Sequence, residues 1–143
     1  MIKVEFYKSD EVADELLKYA VIATLEKDKW VFVRHRERNT WEIPGGRREP
    51  NEDILKTAER ELIEETGATQ YSLETICHYS VSIESKKTYG LLAFAEVQEF
   101  GKALTLEIGE RKTFSEMPEE LTYPLIQPKL LEFVETVLKQ KAI

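Results

Sequence analysis

Cysteine is almost missing from this chain. A single Cys77 among 143 residues excludes an internal disulfide and fits a reducing compartment. There is no run of about 18 apolar residues, so no membrane span is expected. The first residues, MIKVEFYKSDEVADE, lack the apolar core of a signal peptide. Positive charge is in deficit, with 20 Lys and Arg against 27 Asp and Glu and a net charge of −7. A nucleic-acid duplex is therefore not the expected partner, because such binding needs clustered Lys and Arg. The same deficit makes a polyanionic substrate awkward unless a metal cation intervenes. Neither an internal repeat nor a Pro/Gly/Ser-rich linker divides the sequence, so one cytoplasmic domain over residues 1–143 is expected.

What is present is a globular composition, 42% hydrophobic and 33% charged, long enough for a sizeable core. IKVEFY alternates as a first strand. YAVIATL (19–25) and WVFVR (30–34) are β-rich runs separated by EKDK, which reads as a hairpin. WEI (41–43) is a short strand candidate that stops at Pro44-Gly45-Gly46, a strong turn signal. A helix follows, with Asn51 as its expected cap and Gly67 as its stop. Further strands are expected in 71–83, 87–97 and around 105–114. After Pro128, Leu130, Leu131, Phe133, Val134, Val137 and Leu138 recur at helical spacing and should pack on the sheet. Many strands with two well-separated helices predict an α/β layered sandwich around a mixed sheet.

The segment GRREPNEDILKTAERELIEETGA, residues 46–68, is unusual. At about 100° per residue, Glu61, Glu64 and Glu65 share one side of the helix. Leu55, Ala58 and Leu62 form an apolar stripe beside them. Arg60 lies on the far flank, within i, i+4 reach of Glu64. Four basic and seven acidic residues fill the segment, with the acid concentrated late, where the helix dipole disfavours it. Like charges at this spacing destabilise a helix by a few tenths of a kcal/mol per pair. A solvated acidic face is the ordinary explanation. An oxygen-rich cluster suited to a hard cation such as Mg²⁺ is the alternative.

The spacing is specific. Gly46, five residues, Glu52, seven residues, Arg60-Glu61, Leu62, one residue, Glu64-Glu65, one residue, Gly67 and Ala68 resemble the Nudix box at every fixed position. A Trp-Glu-Ile-Pro-Gly-Gly approach and a late EIGERKTFSEMPEELTYP agree with the resemblance. It implies a Nudix-type α/β/α sandwich and a pyrophosphohydrolase that uses Mg²⁺, with Mn²⁺ as a possible substitute. Glu61, Glu64 and Glu65 would be metal ligands, joined by the Gly46 carbonyl. Glu61 and Glu64 would carry the catalysis, the Glu61 position being the one proposed in several members to orient or deprotonate the attacking water. Glu52 and Arg60 correspond to positions that hold loop and helix together, and Gly67 ends the motif.

A further acidic ligand often comes from outside the box; Glu107 is the first candidate and Glu110 the second, ahead of Glu84 and Glu96. Arg34, Arg36, Arg38, Arg47 and Arg48 bracket the motif as candidates for phosphate contact, Arg34 and Arg47 first, and Trp41 and Tyr89 are candidates for base stacking, Trp41 first, each weighed against an ordinary surface or core role. His35 and His78 have no partner at a recognisable catalytic spacing and read as structural or surface residues. Cys77 reads as a buried small residue. The resemblance further implies a small-molecule nucleotide or other diphosphate substrate, with a nucleoside triphosphate such as 8-oxo-dGTP first. Nucleotide sugars, NADH, dinucleoside polyphosphates, an RNA 5′ end and a non-catalytic nucleotide-sensing role stay open, as do monomer and homodimer.

Overall fold

Strand and helix alternation along the chain translates into a sheet with a helix on each face. The computed structural model describes residues 1–102 and 107–141. In order these form β1 (Ile2–Tyr7), a 3₁₀ turn (Asp14–Leu16), β2 (Leu17–Glu26), β3 (Lys29–His35), β4 (Gly45–Arg47) and α1 (Ile54–Thr66). There follow β5 (Ala68–Ile83), β6 (Lys86–Phe100), β7 (Ile108–Phe114) and α2 (Gln127–Lys141). The sheet runs β1-β5-β6-β2-β3-β7, with β4 paired to β2 off this path. Among the described strands β2 and β6 pair in parallel and the other strand pairings are antiparallel, giving a mixed sheet.

The period-two alternation of the central strands divides the core in two. Ala20, Ile22, Leu91, Ala93, Ala95 and Val97 face α1, meeting Ile54, Ala58 and Leu62. Ala23, Phe32, Leu92 and Phe94 face the other way onto Leu130, Leu131 and Val134 of α2. Phe133 adds a stacked ring pair with Phe6, centroids 4.1 Å apart. Each face excludes water with its own helix, which is the three-layer arrangement expected. No described helix is long and apolar enough to cross a membrane.

Local departures from the expectations have clear causes. The β2–β3 hairpin turns on Lys27 and Asp28, both at positive φ, the backbone that a two-residue turn needs to match strand twist. The cap of α1 is Asp53, whose carboxylate accepts the Leu55 N–H at 3.1 Å, not Asn51. Asn51 instead takes a left-handed φ of 62° after Pro50, and the Glu52 N–H reaches back to the Glu49 carbonyl. That is the chemistry of a tight turn, and it delays the helix start by two residues. The buried stripe therefore begins at Ile54, whereas Leu55 is 47% exposed. Trp41 and Glu42 make only isolated bridges, to Leu121 and Val33. The predicted strand near 105–114 is seen from Ile108; its first positions lie outside the described residues.

One topological detail positions the site. β2 pairs β3 only at Leu25↔Trp30 and Glu26↔Lys29, and then the two strands part. The earlier half of β2 pairs β4 instead, Tyr19↔Arg47 through Val21↔Gly45. Residues 42–47 thus fill the opening between the diverging strands. The start of the acidic segment is held there by backbone hydrogen bonds.

Candidate active site

Glycine places the first half of the site. A side chain on Gly45 would lie 2.4 Å from the Ala20 carbonyl oxygen, and one on Gly46 would lie 1.9 Å from Glu61 Oε2. Only glycine lets β4 pair with β2 while the α1 carboxylates sit directly on its backbone. Gly67 ends α1 with a φ of 78° and returns its N–H to Ile63, turning the chain straight into β5.

Arg60 ties the loop to the helix. Its Nε and Nη2 donate to the two oxygens of Glu52 at 2.7 and 3.0 Å, and Nη2 also reaches the Arg47 carbonyl at 3.0 Å. This planar two-point fork holds the Glu52 carboxyl down to about 2, chiefly through the Arg60 hydrogen bonds. The remaining nitrogen, Nη1, lies 2.7 Å from Glu61 Oε1 and 3.3 Å from Glu64 Oε2. The helix repulsion anticipated from the sequence is thus met, in part, by Arg60 itself.

The three glutamates are brought to one side but differ in environment. Glu65 is 5% exposed and its Oε1 accepts the Gly45 N–H at 3.0 Å. Burial, with Glu61, Glu42 and Glu107 nearby, pushes its carboxyl up to about 8 against that hydrogen bond. Glu61, with a side chain 12% exposed, is also raised, first by burial and then by Glu64, with Arg60 opposing. Glu64 is the most open, its side chain 40% exposed.

Glu61 and Glu65 edge a cavity of about 600 Å³, whereas Glu64 is not among its lining residues; the size is typical of small-molecule sites. Its polar wall includes Gly46, Arg47, Glu61 and Glu65, and its deeper wall includes Tyr79, Val81 and Leu130. Glu107 stands at the same opening. Arg47 lines the cavity, with its guanidinium 5.4 Å over the Tyr19 ring and Nη2 donating to the Tyr19 hydroxyl. Arg34 and Trp41 are not among the lining residues. The Arg34 guanidinium is drawn to the Arg38 carbonyl and to Glu110. Trp41 packs edge-on to Phe114 at 5.1 Å, in the core under α2. Glu84 and Glu96 do not line the cavity either. His78 is buried on β5 away from the cavity, and its Nδ1 lacks a partner among the described residues. Cys77 is buried and its thiol is pushed up to about 12 by that burial, an inert environment for a nucleophile.

Two lining residues, His35 and Glu42, carry no site-marking spacing in the sequence, whereas Arg38, also lining, is one of the arginines that bracket the motif. His35 Nε2 lies 2.9 Å from Glu42 Oε1 and 3.8 Å from Glu65 Oε2. Arg38 Nη1 holds the other Glu42 oxygen at 3.3 Å. His35 and Glu42 meet across two segments of chain, so no fixed spacing announces them.

The donor set can be tested for a divalent cation. All candidates are hard oxygen donors with no sulfur among them, as Mg²⁺ requires. Buried carboxylates that raise one another's proton affinity are a set that a cation would relieve. Among the described residues, no three His, Cys, Asp or Glu side chains already converge as metal ligands. The Arg60 guanidinium lies between Glu61 and Glu64, a positive charge where a cation's charge is called for. The residues fit, provided that Glu61 and Glu64 turn from Arg60.

Fold and cleft define an α/β/α protein with an acid-walled small-molecule site at a strand divergence. Comparison with known proteins narrows that class. The NUDIX domain model matches residues 16–103, more than half of the chain, and the chain belongs to this family. The "Putative 8-oxo-dGTP diphosphatase YtkD" of Bacillus subtilis (strain 168) is 36% identical over 95 residues, 66% of this chain and 60% of that protein. An RNA pyrophosphohydrolase of Pelagibacter ubique (strain HTCC1062) is 39% identical over 69 residues, 46% of this chain and 44% of that protein. The chain thus spans less than two thirds of either relative. The crystal structure of the Bacillus subtilis pyrophosphohydrolase BsRppH superimposes with a TM-score of 0.76 at 25% identity, covering 94% of this chain and 90% of that one.

Proposed function

We propose that the chain is a divalent-metal-dependent pyrophosphohydrolase of a nucleoside diphosphate-linked substrate, with a nucleoside triphosphate such as 8-oxo-dGTP first. The observation that carries the reading is the gathering of Glu61 and Glu65 on the Gly45–Arg47 backbone at the mouth of a nucleotide-sized cavity. Glu61, Glu64 and Glu65 would hold Mg²⁺, or Mn²⁺ in its place, together with the Gly46 carbonyl and Glu107. A cation held there supplies neutralisation of the diphosphate and a lowered pKa for bound water. Glu61, half-shielded and raised in proton affinity, orients the attacking water and accepts its proton. Glu64 is the most open of the three carboxylates. Arg47 offers its guanidinium to the phosphates, and the Tyr79, Val81 and Leu130 wall excludes water around the nucleoside. Arg60 and Glu52 hold β4 and α1 in register.

The substrate preference rests on the names of similar proteins and on the cavity size. A second reading, an RNA 5′ end, is favoured by the likeness to the RNA pyrophosphohydrolase of Pelagibacter ubique, while the net charge of −7 weighs against a long polyanion. A hydrolysis panel with Mg²⁺ or Mn²⁺ tests the proposal. It would compare canonical and oxidised triphosphates, nucleotide sugars, NADH, dinucleoside polyphosphates and 5′-triphosphorylated RNA, with products resolved. Monophosphate and pyrophosphate from a triphosphate support it. A panel without turnover, in protein that binds Mn²⁺, would move the assignment to a nucleotide-sensing domain.

A further inference from the structure

Glu42 and Glu65 are both buried, at 7% and 5% exposure, and both line the same cleft. Two carboxylates so placed repel one another unless a group between them intervenes. The His35 imidazole is that group, with Nε2 2.9 Å from Glu42 and 3.8 Å from Glu65. The backbone is arranged to put it there. β3 pairs β7 as Arg34↔Glu110 and then His35↔Ile108, so Gly109 is one residue extra. The resulting bulge falls at the site, as bulges that re-aim a side chain do. A side chain on Gly109 would press to 3.2 Å from both Arg34 and the Arg36 backbone, so glycine makes the bulge easy. Glu42 is fixed to the same strand by a reciprocal pair of hydrogen bonds with Val33, each 2.9 Å. Arg38 holds the second Glu42 oxygen.

The two buried glutamates are therefore treated differently. Both Glu42 oxygens are engaged, by His35 and Arg38. Glu65 has one oxygen on the Gly45 N–H, and its other approaches His35 only beyond hydrogen-bond distance. We propose that His35 is a positioning residue that engages Glu42, holds it off Glu65, and thereby leaves the second Glu65 oxygen directed to the cleft for a divalent cation. This rests on the proposed metal-dependent reading, and it assigns His35 a role through Glu42 and Glu65, without contact to the substrate.

The test is Mn²⁺ binding to substrate-free protein, followed by electron paramagnetic resonance, alongside the thermal midpoint. Loss of a residue that orients a metal ligand weakens binding by about ten- to a hundredfold, and that is expected for His35→Ala. His35→Gln keeps an N–H donor and should return the affinity to within about threefold of wild type, as expected for a donor role. Removing the repulsion itself should also rescue, so His35→Ala/Glu42→Gln should bind more tightly than His35→Ala alone. Should His35→Ala fail to fold, the glutamine variant and the double variant carry the test. Wild-type affinity in His35→Ala, with Glu65→Gln weakened, overturns this inference and leaves the metal reading intact. A double variant no better than His35→Ala overturns the route through Glu42. Absence of Mn²⁺ binding in the wild type overturns both readings together.

Discussion

Replacing Gly46 by alanine separates the function of the site from its stability. Gly46 is not at positive φ, so the backbone accepts alanine without strain. The new methyl would lie 1.9 Å from Glu61 Oε2 and 2.3 Å from Cδ. Ordinary contact begins at 3.4 Å, so the Glu61 carboxylate must retreat by about 1.5 Å. Because the clash is with the far end of a flexible side chain, the fold yields cheaply and the melting midpoint should move by only a few degrees. Catalysis is less forgiving, since a misplacement of about 1 Å can cost a factor of 10². At least a hundredfold loss in kcat/KM is therefore expected, about 2.7 kcal/mol of transition-state stabilisation. Steady-state hydrolysis of the best substrate from the panel, beside a thermal melt, reads both quantities. Wild-type kcat/KM in a folded Gly46→Ala protein would refute the placement of Glu61 in the chemistry.

Other expectations follow from single residues. The Glu52 carboxyl lies at about 2 in the folded state against an ordinary 4.5, so its contribution is complete above the unfolded value and is lost as pH falls from 4.5 towards 2. Glu52→Gln should flatten that acid limb of urea stability; an unchanged limb would discount the Arg60 fork. Gly67→Ala must adopt a φ of 78° and would place a methyl 2.7 Å from the Gly101 carbonyl oxygen. A loss of about 2 kcal/mol or more is expected, seen as a lowered urea midpoint. Cys77, buried with a thiol raised to about 12, should resist alkylation at pH 8 until the protein unfolds. Millimolar Mg²⁺ should raise the melting midpoint, because a ligand bound only to the native state stabilises it. A midpoint unmoved by Mg²⁺ would count against the cation site.

Much of this was legible in the sequence because it is local. The helical angle alone puts Glu61, Glu64 and Glu65 on one side, and fixed gaps tie Gly46 and Arg60 to the same unit. Strands β2 and β3 announce themselves by β-branched and aromatic runs. β4 does not, since Gly45-Gly46-Arg47 has no alternation and reads only as a turn; its pairing with β2 is a tertiary event. The Asp53 cap was hidden by Asn51, an equally good capping residue that the Pro50 turn captures first. His35, Glu42 and the Tyr79–Leu130 wall come from separate segments. Their encounter depends on β2 and β3 parting, which no periodicity encodes. Trp41 shows the converse: an aromatic beside the motif is claimed by Phe114 and the core.

The proposed function places hydrolysis of a nucleotide diphosphate bond at the Glu61–Glu65 cluster with a divalent cation. Turnover of dGTP and 8-oxo-dGTP with Mg²⁺, measured side by side for the wild type and Glu64→Gln, tests it most directly. Pyrophosphate release should stop on chelation and fall by orders of magnitude in Glu64→Gln, with the fold retained. Equal turnover by both proteins, or turnover indifferent to chelation, would contradict it.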